Sequence, residues 1–319
     1  MIASCLSVIA LISSITITGI IMNVAQKEGG SVNIVEALFQ PKVYEEPDEV
    51  TNYLTVDGQD QQARVYVPDN GAKNAPVAMY IHGGGWYGGT AEVNDLTARA
   101  MADMGFYVVN VDYRLATADY ATWDKSPKDV ACALTWTVKK ATAAGADPTR
   151  LTVVGDSAGG HMSMLLGWSA SKDAAESSCP DEGPVPVPDA VIAGYPVSDL
   201  TYTYDNGTAP TGVDPQVFTR MFLGGSVTEQ PERLKVVSPL TYASDKTPPT
   251  LIMQPEGDDF IPAEGNYRTA NSAKALGVDI RVVRIPFSYH GYDAAPQSLG
   301  GQLKNSVILN WLESKNVAP

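Results

Sequence analysis

The chain has 319 residues, enough for one large α/β domain or two small ones, and its hydrophobic content of 44% allows a sizeable core. It carries 22 Lys and Arg against 36 Asp and Glu, a formal net charge of −14 that is spread along the chain without charge runs. Because such a surface repels phosphate groups, the charge excludes nucleic acid and anionic membrane surfaces as expected partners.

The first 26 residues carry no charge and form the most apolar stretch of the chain. This composition predicts a signal peptide or a membrane anchor over residues 1–26, since about 20 apolar residues cross a bilayer. Two parts of the signal pattern are missing: no Lys or Arg precedes the apolar run, and Asn23 weakens the best cleavage site at Ala25. The alternative is an apolar helix packed on the domain. We expect a secreted or extracytoplasmic protein that meets a membrane only through this segment.

The chain has 3 cysteines, and Cys5 lies in the apolar segment. The other two, Cys132 and Cys179, can form a disulfide in an oxidising compartment. The alternative is that Cys132 is a core residue, because it falls in the middle of a predicted helix.

Residues 27–50 are polar and predict a linker, and residues 51–319 predict the folded domain. The domain opens on two alternating patterns around Asp57-Gly58, which predict an antiparallel hairpin. Strand and helix patterns then alternate, so we expect an α/β fold with a mostly parallel eight-stranded sheet and helices on both faces. The predicted strands are 52–56, 64–67, 77–81, 107–111, 151–154, 190–193, 250–253 and 280–285, and the predicted helices are 92–104, 128–142, 158–169, 264–275 and 297–314.

Residues 198–240 break this alternation. They are rich in Tyr, Pro, Gly and Asp, with a short helical pattern at 215–222. Because ligands bind at the carboxyl edge of open α/β sheets, we expect a small cap-like insertion that shapes a substrate pocket. A plain surface excursion is the alternative.

The stretch Gly155-Asp-Ser-Ala-Gly159 directly follows one strand pattern and precedes a helical one. This G-x-S-x-G arrangement is typical of a nucleophile elbow, a sharp turn that raises a serine hydroxyl above the sheet. The chain closes on itself two residues to either side of Ser157, where glycine has no Cβ to clash. The following helix brings free N–H groups to the serine, so the N–H of Ala158 is a candidate oxyanion donor. A glycine-rich turn with an incidental serine is the alternative for this motif alone.

A second glycine motif, His82-Gly83-Gly84-Gly85-Trp86, follows the strand pattern 77–81. Consecutive glycines can aim N–H groups at a developing oxyanion, and H-G-G-G after this strand is an oxyanion-loop pattern. Gly83 and Gly84 are therefore the predicted donors, with Gly85 as a further candidate, and His82 is expected to hold the loop. We expect Gly85 and Trp86 to line the substrate pocket, with a partly buried wall position as the alternative for Trp86.

An activated serine needs a base, and the chain has 3 histidines. His161 lies on the helix after the serine and points along it, so we expect a packed or an exposed helix residue. His290 comes last, in a loop after the final strand pattern, where the base belongs in chain order. The acid should follow a strand between the serine and His290, and both Asp258 and Asp259 follow the strand pattern 250–253.

Together these motifs resemble the α/β-hydrolase esterases of the hormone-sensitive-lipase-like branch, whose relatives include bacterial feruloyl and acetyl esterases. The resemblance implies the α/β-hydrolase fold, with Ser157 as nucleophile and His290 as base. It implies Asp258 as the acid if the D-x-x-V-P pattern applies, and Asp259 if the lipase-like D-E-G pattern does. The matching pieces are His82-Gly-Gly-Gly-Trp86, Val111-Asp-Tyr-Arg-Leu115, Gly155-Asp-Ser-Ala-Gly-Gly160, the Asp258 region and His290-Gly291, within residues 77–292.

The resemblance further implies a serine carboxylesterase that acts on a small-molecule ester through an acyl-serine and needs no metal or organic cofactor. Asp112 and Arg114 resemble the family's structural pair beside the oxyanion loop. Two departures, Thr117-Ala-Asp-Tyr120 where the lipase-like branch has a proline and short N-terminal cap helices, favour short-acyl, carbohydrate or aryl esters. An amidase, peptidase or arylformamidase on the same fold is the enzymatic alternative. A catalytically inactive binding protein is the alternative of another class.

Overall fold

The computed structural model describes residues 2–39, 45–210 and 212–319. Its strands are β1 (Glu49–Val56), β2 (Gln59–Tyr66), β3 (Pro76–Ile81), β4 (Tyr107–Val111), β5 (Asp147–Asp156), β6 (Ala190–Gly194), β7 (Thr250–Pro255) and β8 (Ile280–Ile285). They form one sheet in the order β1-β2-β4-β3-β5-β6-β7-β8. The hairpin β1–β2 and the pair β2–β4 are antiparallel, whereas the other pairs are parallel. The predicted α/β class with a mostly parallel eight-stranded sheet is confirmed.

Helices cover both faces of this sheet. Over the described residues they are α1 (Ile2–Lys27), α2 (Ile34–Phe39), α3 (Asp95–Asp103), α4 (Ser126–Ala144), α5 (Ala158–Ala170), α6 (Leu200–Asn206), α7 (Pro215–Leu223), α8 (Pro231–Val237), α9 (Ala263–Ala275) and α10 (Leu299–Ser314). The predicted helix 92–104 begins instead as a 3-10 turn, Ala91–Asn94, before α3. The reason is that side chains of β4 and its following residue hold the turn: Asn110 donates to the Ala91 carbonyl and Asp112 accepts the Ala91 N–H, each at 2.6 Å.

The two faces of the sheet bury separate cores. On β3, Val77, Met79 and Ile81 point into the core that includes α4 and α5, while Ala78 and Tyr80 point into the core that includes α3 and α10. All five are buried, as expected of a central parallel strand covered on both faces. The carboxyl ends of the parallel strands are left to carry loops at one edge of the sheet.

The N-terminal helix contacts the domain through its carboxyl end. Ala25 is buried in the core shared with α10, and Asn310 donates to the carbonyl of Glu28 at 3.0 Å. Over the residues described, none of the helices combines the length and apolar character that spanning a bilayer requires. A signal peptide or anchor over residues 1–26 stays a prediction, and Met1 lies outside the described residues. The expected linker contains α2, and its residues 40–44 also lie outside them.

Asp112 and Arg114 do not pair, which corrects the expectation drawn from the resemblance. The Arg114 guanidinium instead binds the buried carboxylate of Asp129 in a two-point contact at 2.8 and 2.7 Å. Asp129 lies in the first turn of α4, whereas the Asp112 carboxylate accepts a hydrogen bond from the Ala91 N–H. The two side chains therefore brace different elements.

A disulfide joins Cys132 of α4 to Cys179. The two residues are 47 positions apart, so the bond closes a long loop onto the helix. Beside it, the Ser178 hydroxyl donates to Asp129 at 2.6 Å and the guanidinium of Arg114 donates to that hydroxyl at 3.1 Å. The disulfide thus fixes the segment after α5 to the first half of α4.

We expect the double substitution Cys132→Ala/Cys179→Ala to lower the free energy of unfolding by about 2–4 kcal/mol, because the bond restricts the unfolded chain. Urea unfolding of wild type with and without reductant should show the same loss. The double variant is the control, since reductant should leave its midpoint in place. A wild-type midpoint that does not move when both thiols are shown to be free would contradict this.

Candidate active site

Ser157 occupies a strained turn between β5 and α5, with φ 56° and ψ −119°. Such a backbone costs a non-glycine residue about 1–3 kcal/mol and persists only where its surroundings enforce it. The Ser157 N–H donates to the Gly194 carbonyl at 2.8 Å. A Cβ on Gly159 would lie 2.0 Å from the Ile81 carbonyl oxygen, and one on Gly155 would lie 2.4 Å from the Gly159 carbonyl oxygen. Glycine at both positions therefore permits the turn that presents the serine hydroxyl.

His290 connects this hydroxyl to a carboxylate. Its Nε2 lies 3.1 Å from Ser157 Oγ, and its Nδ1 lies 2.8 Å from Asp258 Oδ2. The rings of Tyr195 and Phe260 contact the imidazole edge to face, with centroids 4.6 and 4.9 Å away. The serine, acid and base follow β5, β7 and β8, so the common sheet edge brings them together. A carboxylate on Nδ1 fixes the tautomer in which Nε2 can accept a proton from the serine.

The structure places Asp258 rather than Asp259 against the imidazole. Asp258 is 3% exposed, and its Oδ1 accepts the N–H groups of Phe260 and Ile261 at 3.1 and 2.9 Å. Asp259 is exposed to solvent. The turn after β7 therefore orients one carboxylate inward through backbone hydrogen bonds and leaves its neighbour outside.

The glycine loop after β3 packs against the serine. A Cβ on Gly83 would lie 3.3 Å from the Ser157 Cβ, and one on Gly84, where φ is +112°, would lie 2.1 Å from the Gly88 carbonyl oxygen. Within the described part of the chain, no acceptor binds the N–H of Gly83, Gly84 or Ala158. Three backbone donors thus remain available around the serine.

His82 supports this loop from inside the protein. Its Nδ1 lies 2.7 Å from the Gly83 carbonyl oxygen, and its ring stacks on Tyr113 with centroids 4.4 Å apart. Burial lowers the pKa of His82 below its usual value. The position fits the structural role expected for it.

Trp86 does not line the pocket, which corrects the sequence-based expectation. Its side chain is fully buried and stacks on Phe222 of α7 with ring centroids 4.5 Å apart. Phe218 contacts it from the same helix. The apolar face of the 198–240 insertion covers the indole, so Trp86 joins the core while Gly85 stays on the pocket wall.

A cavity of about 490 Å³ opens at Ser157. Its walls include Gly85, Tyr87, Val93 and Phe260, and the insertion contributes Val213. None of the described residues that line it is Lys or Arg. Residue 211 of the insertion lies outside the described residues. The turn before α3, which supplies Val93, was missed in the sequence because its apolar positions resemble an ordinary helix start.

Sequence reasoning also missed a buried ionic cluster under the site. Lys304 of α10 lies 2.8 Å from Asp156 and 2.5 Å from Asp293. A signal was present in the sequence: Lys304 falls on the buried row of α10 with Val307, Ile308 and Trp311. A lysine at such a position needs a partner, because a buried charge is costly when it is unpaired.

The chain is similar in sequence to a family of known proteins and to individual relatives. The sequence pattern of the family described as BD-FAE matches residues 64–271. Two relatives from Mycobacterium tuberculosis (strain ATCC 25618 / H37Rv) are the carboxylesterase NlhH, 31% identical over 73% of this chain and 71% of NlhH, and the esterase LipC, 25% identical over 76% of this chain. The chain spans 59% of the length of LipC.

Among solved structures, Thermogutta terrifontis esterase 2 phosphonylated by sarin superposes with a TM-score of 0.70 and 22% identity, over 88% of this chain and 99% of that chain. Another structure of the same esterase, with a TM-score of 0.68, holds butyrate. At this identity the likeness concerns the fold.

We expect Gly84→Ala to destabilise the protein strongly, because its Cβ would meet the Gly88 carbonyl and the positive φ disfavours any side chain. The matched control in the same loop is Gly88→Ala, whose Cβ would have no neighbour closer than 3.8 Å. Thermal and urea unfolding should show a loss of roughly 2 kcal/mol or more for the first variant and under about 1 kcal/mol for the second. Equal losses would argue against this conformation of the glycine loop.

His161 provides a pH-dependent test of burial. Its Nε2 lies 2.7 Å from the Val237 carbonyl, and burial lowers its pKa to about 4. In the unfolded chain its pKa is about 6.5, so between these values the unfolded state binds a proton that the native state does not. The neutral His161 therefore makes its full contribution to the free energy of unfolding above about pH 6.5. This contribution falls by roughly 3 kcal/mol as the pH drops to about 4.

The substitution His161→Gln removes this titration and keeps a side-chain donor for Val237. Urea unfolding at several pH values between 7.5 and 4.5 should show wild type losing stability relative to the variant as the pH falls. Contributions from carboxylates cancel in this difference. Parallel pH profiles for the two proteins would contradict a buried neutral imidazole.

Proposed function

Because the chain belongs to the BD-FAE family of hormone-sensitive-lipase-like α/β-hydrolase esterases, we propose that it hydrolyses carboxylic esters with Ser157 as the nucleophile. The observation that carries this proposal is the continuous contact from Ser157 Oγ to His290, at 3.1 Å, and from His290 to Asp258, at 2.8 Å. The esterase names of the relatives support an ester as the substrate. The intact serine and base argue against a binding protein that has lost its chemistry.

In the proposed reaction, His290 Nε2 takes the hydroxyl proton as Ser157 Oγ attacks the ester carbonyl. The carbonyl oxygen becomes an oxyanion that accepts the free N–H groups of Gly83, Gly84 and Ala158. His290 then gives the proton to the leaving alkoxide, and an acyl-serine remains. Water then attacks the acyl carbonyl while His290 takes one of its protons. The bond between the acyl carbon and Ser157 Oγ breaks, His290 returns the proton to Oγ, and the free acid leaves. Asp258 stabilises the imidazolium in both halves of the reaction.

The cavity supports a small, uncharged substrate. Its volume of about 490 Å³ suits a short acyl chain with a compact alcohol, and aromatic and aliphatic walls such as Tyr87, Phe260 and Val213 suit apolar groups. No Lys or Arg among the described lining residues is present to bind an anionic substrate. The butyrate held by the Thermogutta esterase is in keeping with short acyl groups. Acyl chain length and the choice between alkyl, aryl and sugar alcohols are then set by this cavity.

We also propose that the protein acts outside the cytoplasm. The disulfide between Cys132 and Cys179 supports this, since such bonds persist in oxidising compartments. Fractionation of expressing cells tests it: activity in the extracytoplasmic fraction is expected, and activity confined to the cytosol with both thiols reduced would contradict it.

The test of the proposed activity uses nitrophenyl esters from acetyl to dodecanoyl, acetylated and feruloylated sugars, a peptide and an aryl formamide. We expect wild type to prefer short esters and Ser157→Ala to lose about 10⁶-fold in kcat. Asp258→Asn should lose about 10⁴-fold because the imidazole tautomer is no longer fixed. Asp259→Asn is the matched control and should keep wild-type rates, because Asp259 is exposed.

Two outcomes would contradict the proposed ester hydrolysis. A folded wild type that is inert on every ester would exclude ester hydrolysis, and activity on the formamide or the peptide alone would indicate an amide-cleaving enzyme on the same fold. Loss of activity in Asp259→Asn with wild-type rates in Asp258→Asn would contradict the assigned acid.

A further inference from the structure

A buried ionic cluster lies beneath the active site and takes no part in the chemistry above. The ammonium of Lys304 binds both oxygens of Asp156, at 2.9 and 2.8 Å, and Oδ2 of Asp293, at 2.5 Å. The Tyr80 hydroxyl donates to Asp156, and the Tyr195 hydroxyl donates to Asp293 at 2.7 Å. Only 3% of the Lys304 side chain is exposed. The cluster therefore holds one cation between two carboxylates in the core.

The two carboxylates belong to the two halves of the site. Asp156 directly precedes Ser157 in the elbow, and Asp293 follows His290 by three residues in the same loop. Tyr195 adds a second connection, because its hydroxyl binds Asp293 while its ring contacts the imidazole at 4.6 Å. One ammonium thus joins the segment that carries the nucleophile to the segment that carries the base.

The Asp156 carboxylate is also tied to the nucleophile's backbone. A Cβ on Gly194 would lie 2.1 Å from Asp156 Oδ1, so this carboxylate occupies space that only glycine leaves open. The carbonyl of the same Gly194 accepts the Ser157 N–H at 2.8 Å. A shift of the carboxylate would therefore disturb the residue that holds the serine turn.

The charges of the cluster depend on each other. Burial by itself lowers the pKa of Lys304. The attraction of Asp156 and Asp293 outweighs burial and raises this pKa well above its usual value. Burial raises the pKa of Asp156, while the Lys304 charge, acting against burial, lowers that of Asp293. Without the ammonium, two carboxylates would face each other in the core and would have to separate or share a proton.

We propose that Lys304 is a positioning residue that sets the geometry between Ser157 and His290 by binding Asp156 and Asp293 at the same time. This inference rests on the proposed ester hydrolysis. A positioning role affects the rate of the chemical step, because a displacement of about 1 Å between reacting groups can cost about 100-fold in rate. Lys304 itself does not line the cavity, so its loss removes no direct contact with a substrate, although its partners Asp156 and Asp293 do line the cavity.

The test compares Lys304→Met with Lys315→Met, a matched control just after the same helix. Lys315 pairs with Asp279 at the surface, at 2.5 Å, and contacts none of the cluster's partners. With active sites counted by titration with a fluorophosphonate, we expect kcat of Lys304→Met on a short nitrophenyl ester to fall about 10- to 100-fold. KM should stay within about threefold, and Lys315→Met should match wild type.

Asp293→Asn tests the positioning role if Lys304→Met does not fold. This variant keeps the side-chain volume and an acceptor for Tyr195, and it leaves Lys304 paired with Asp156. We expect kcat to fall several-fold; because Asp293 lines the cavity, kcat rather than KM is the readout for this variant. A wild-type kcat per titrated site in either folded variant, with only the melting temperature lowered, would overturn the positioning role.

The proposal and the ester hydrolysis can fail separately. If wild type hydrolyses no ester, the proposed function fails, and the rate at which the fluorophosphonate labels Ser157 still tests Lys304. We then expect labelling of Lys304→Met to be about 10-fold slower than that of wild type. Equal labelling rates would overturn the inference.

Discussion

The backbone of Ser157 is held in a strained conformation, and the rest of the site depends on that backbone. Its φ of 56° costs about 1–3 kcal/mol, which neighbouring contacts must offset. The contacts come from paired strands: Gly159 packs on the carbonyl of the last residue of β3, and the Ser157 N–H binds the last residue of β6. β3, β5 and β6 pair in parallel, so the glycine loop after β3 and the serine turn after β5 lie next to each other at the same edge of the sheet.

The same sheet edge brings together residues that are distant in the chain. Ser157 and His290 are 133 residues apart, yet β5 through β8 lie side by side and end at the same edge. Strand order alone places their loops near each other to within several ångströms. Hydrogen-bond distances between the three side chains require finer control. The turn at Asp258 orients the acid, and in our proposal the Lys304 cluster sets the distance between Ser157 and His290.

The sequence predicted the parts of the site that depend on local backbone chemistry. The two glycine motifs specify their own turns, so Ser157, Gly83 and Gly84 could be assigned to positions around one point before the fold was known. Residues whose role depends on which neighbour covers them could not be predicted. Trp86 follows the glycines but is covered by α7, and Arg114 binds Asp129 because the next helix, α4, packs beside it. A motif fixes where a backbone turns, whereas long-range packing decides where a large side chain goes.

Lys304 shows the limit of explaining a buried charge by stability alone. Removing an ammonium and two carboxylates from water costs several kcal/mol per ion, and an apolar group of similar volume is often equally stable at such a position. The net gain from the cluster is therefore expected to be small relative to its cost. What an apolar side chain cannot do is bind two carboxylates in fixed directions at once. Because those carboxylates flank the nucleophile and the base, the physical advantage of the cluster lies in the defined geometry between them rather than in the stability of the core.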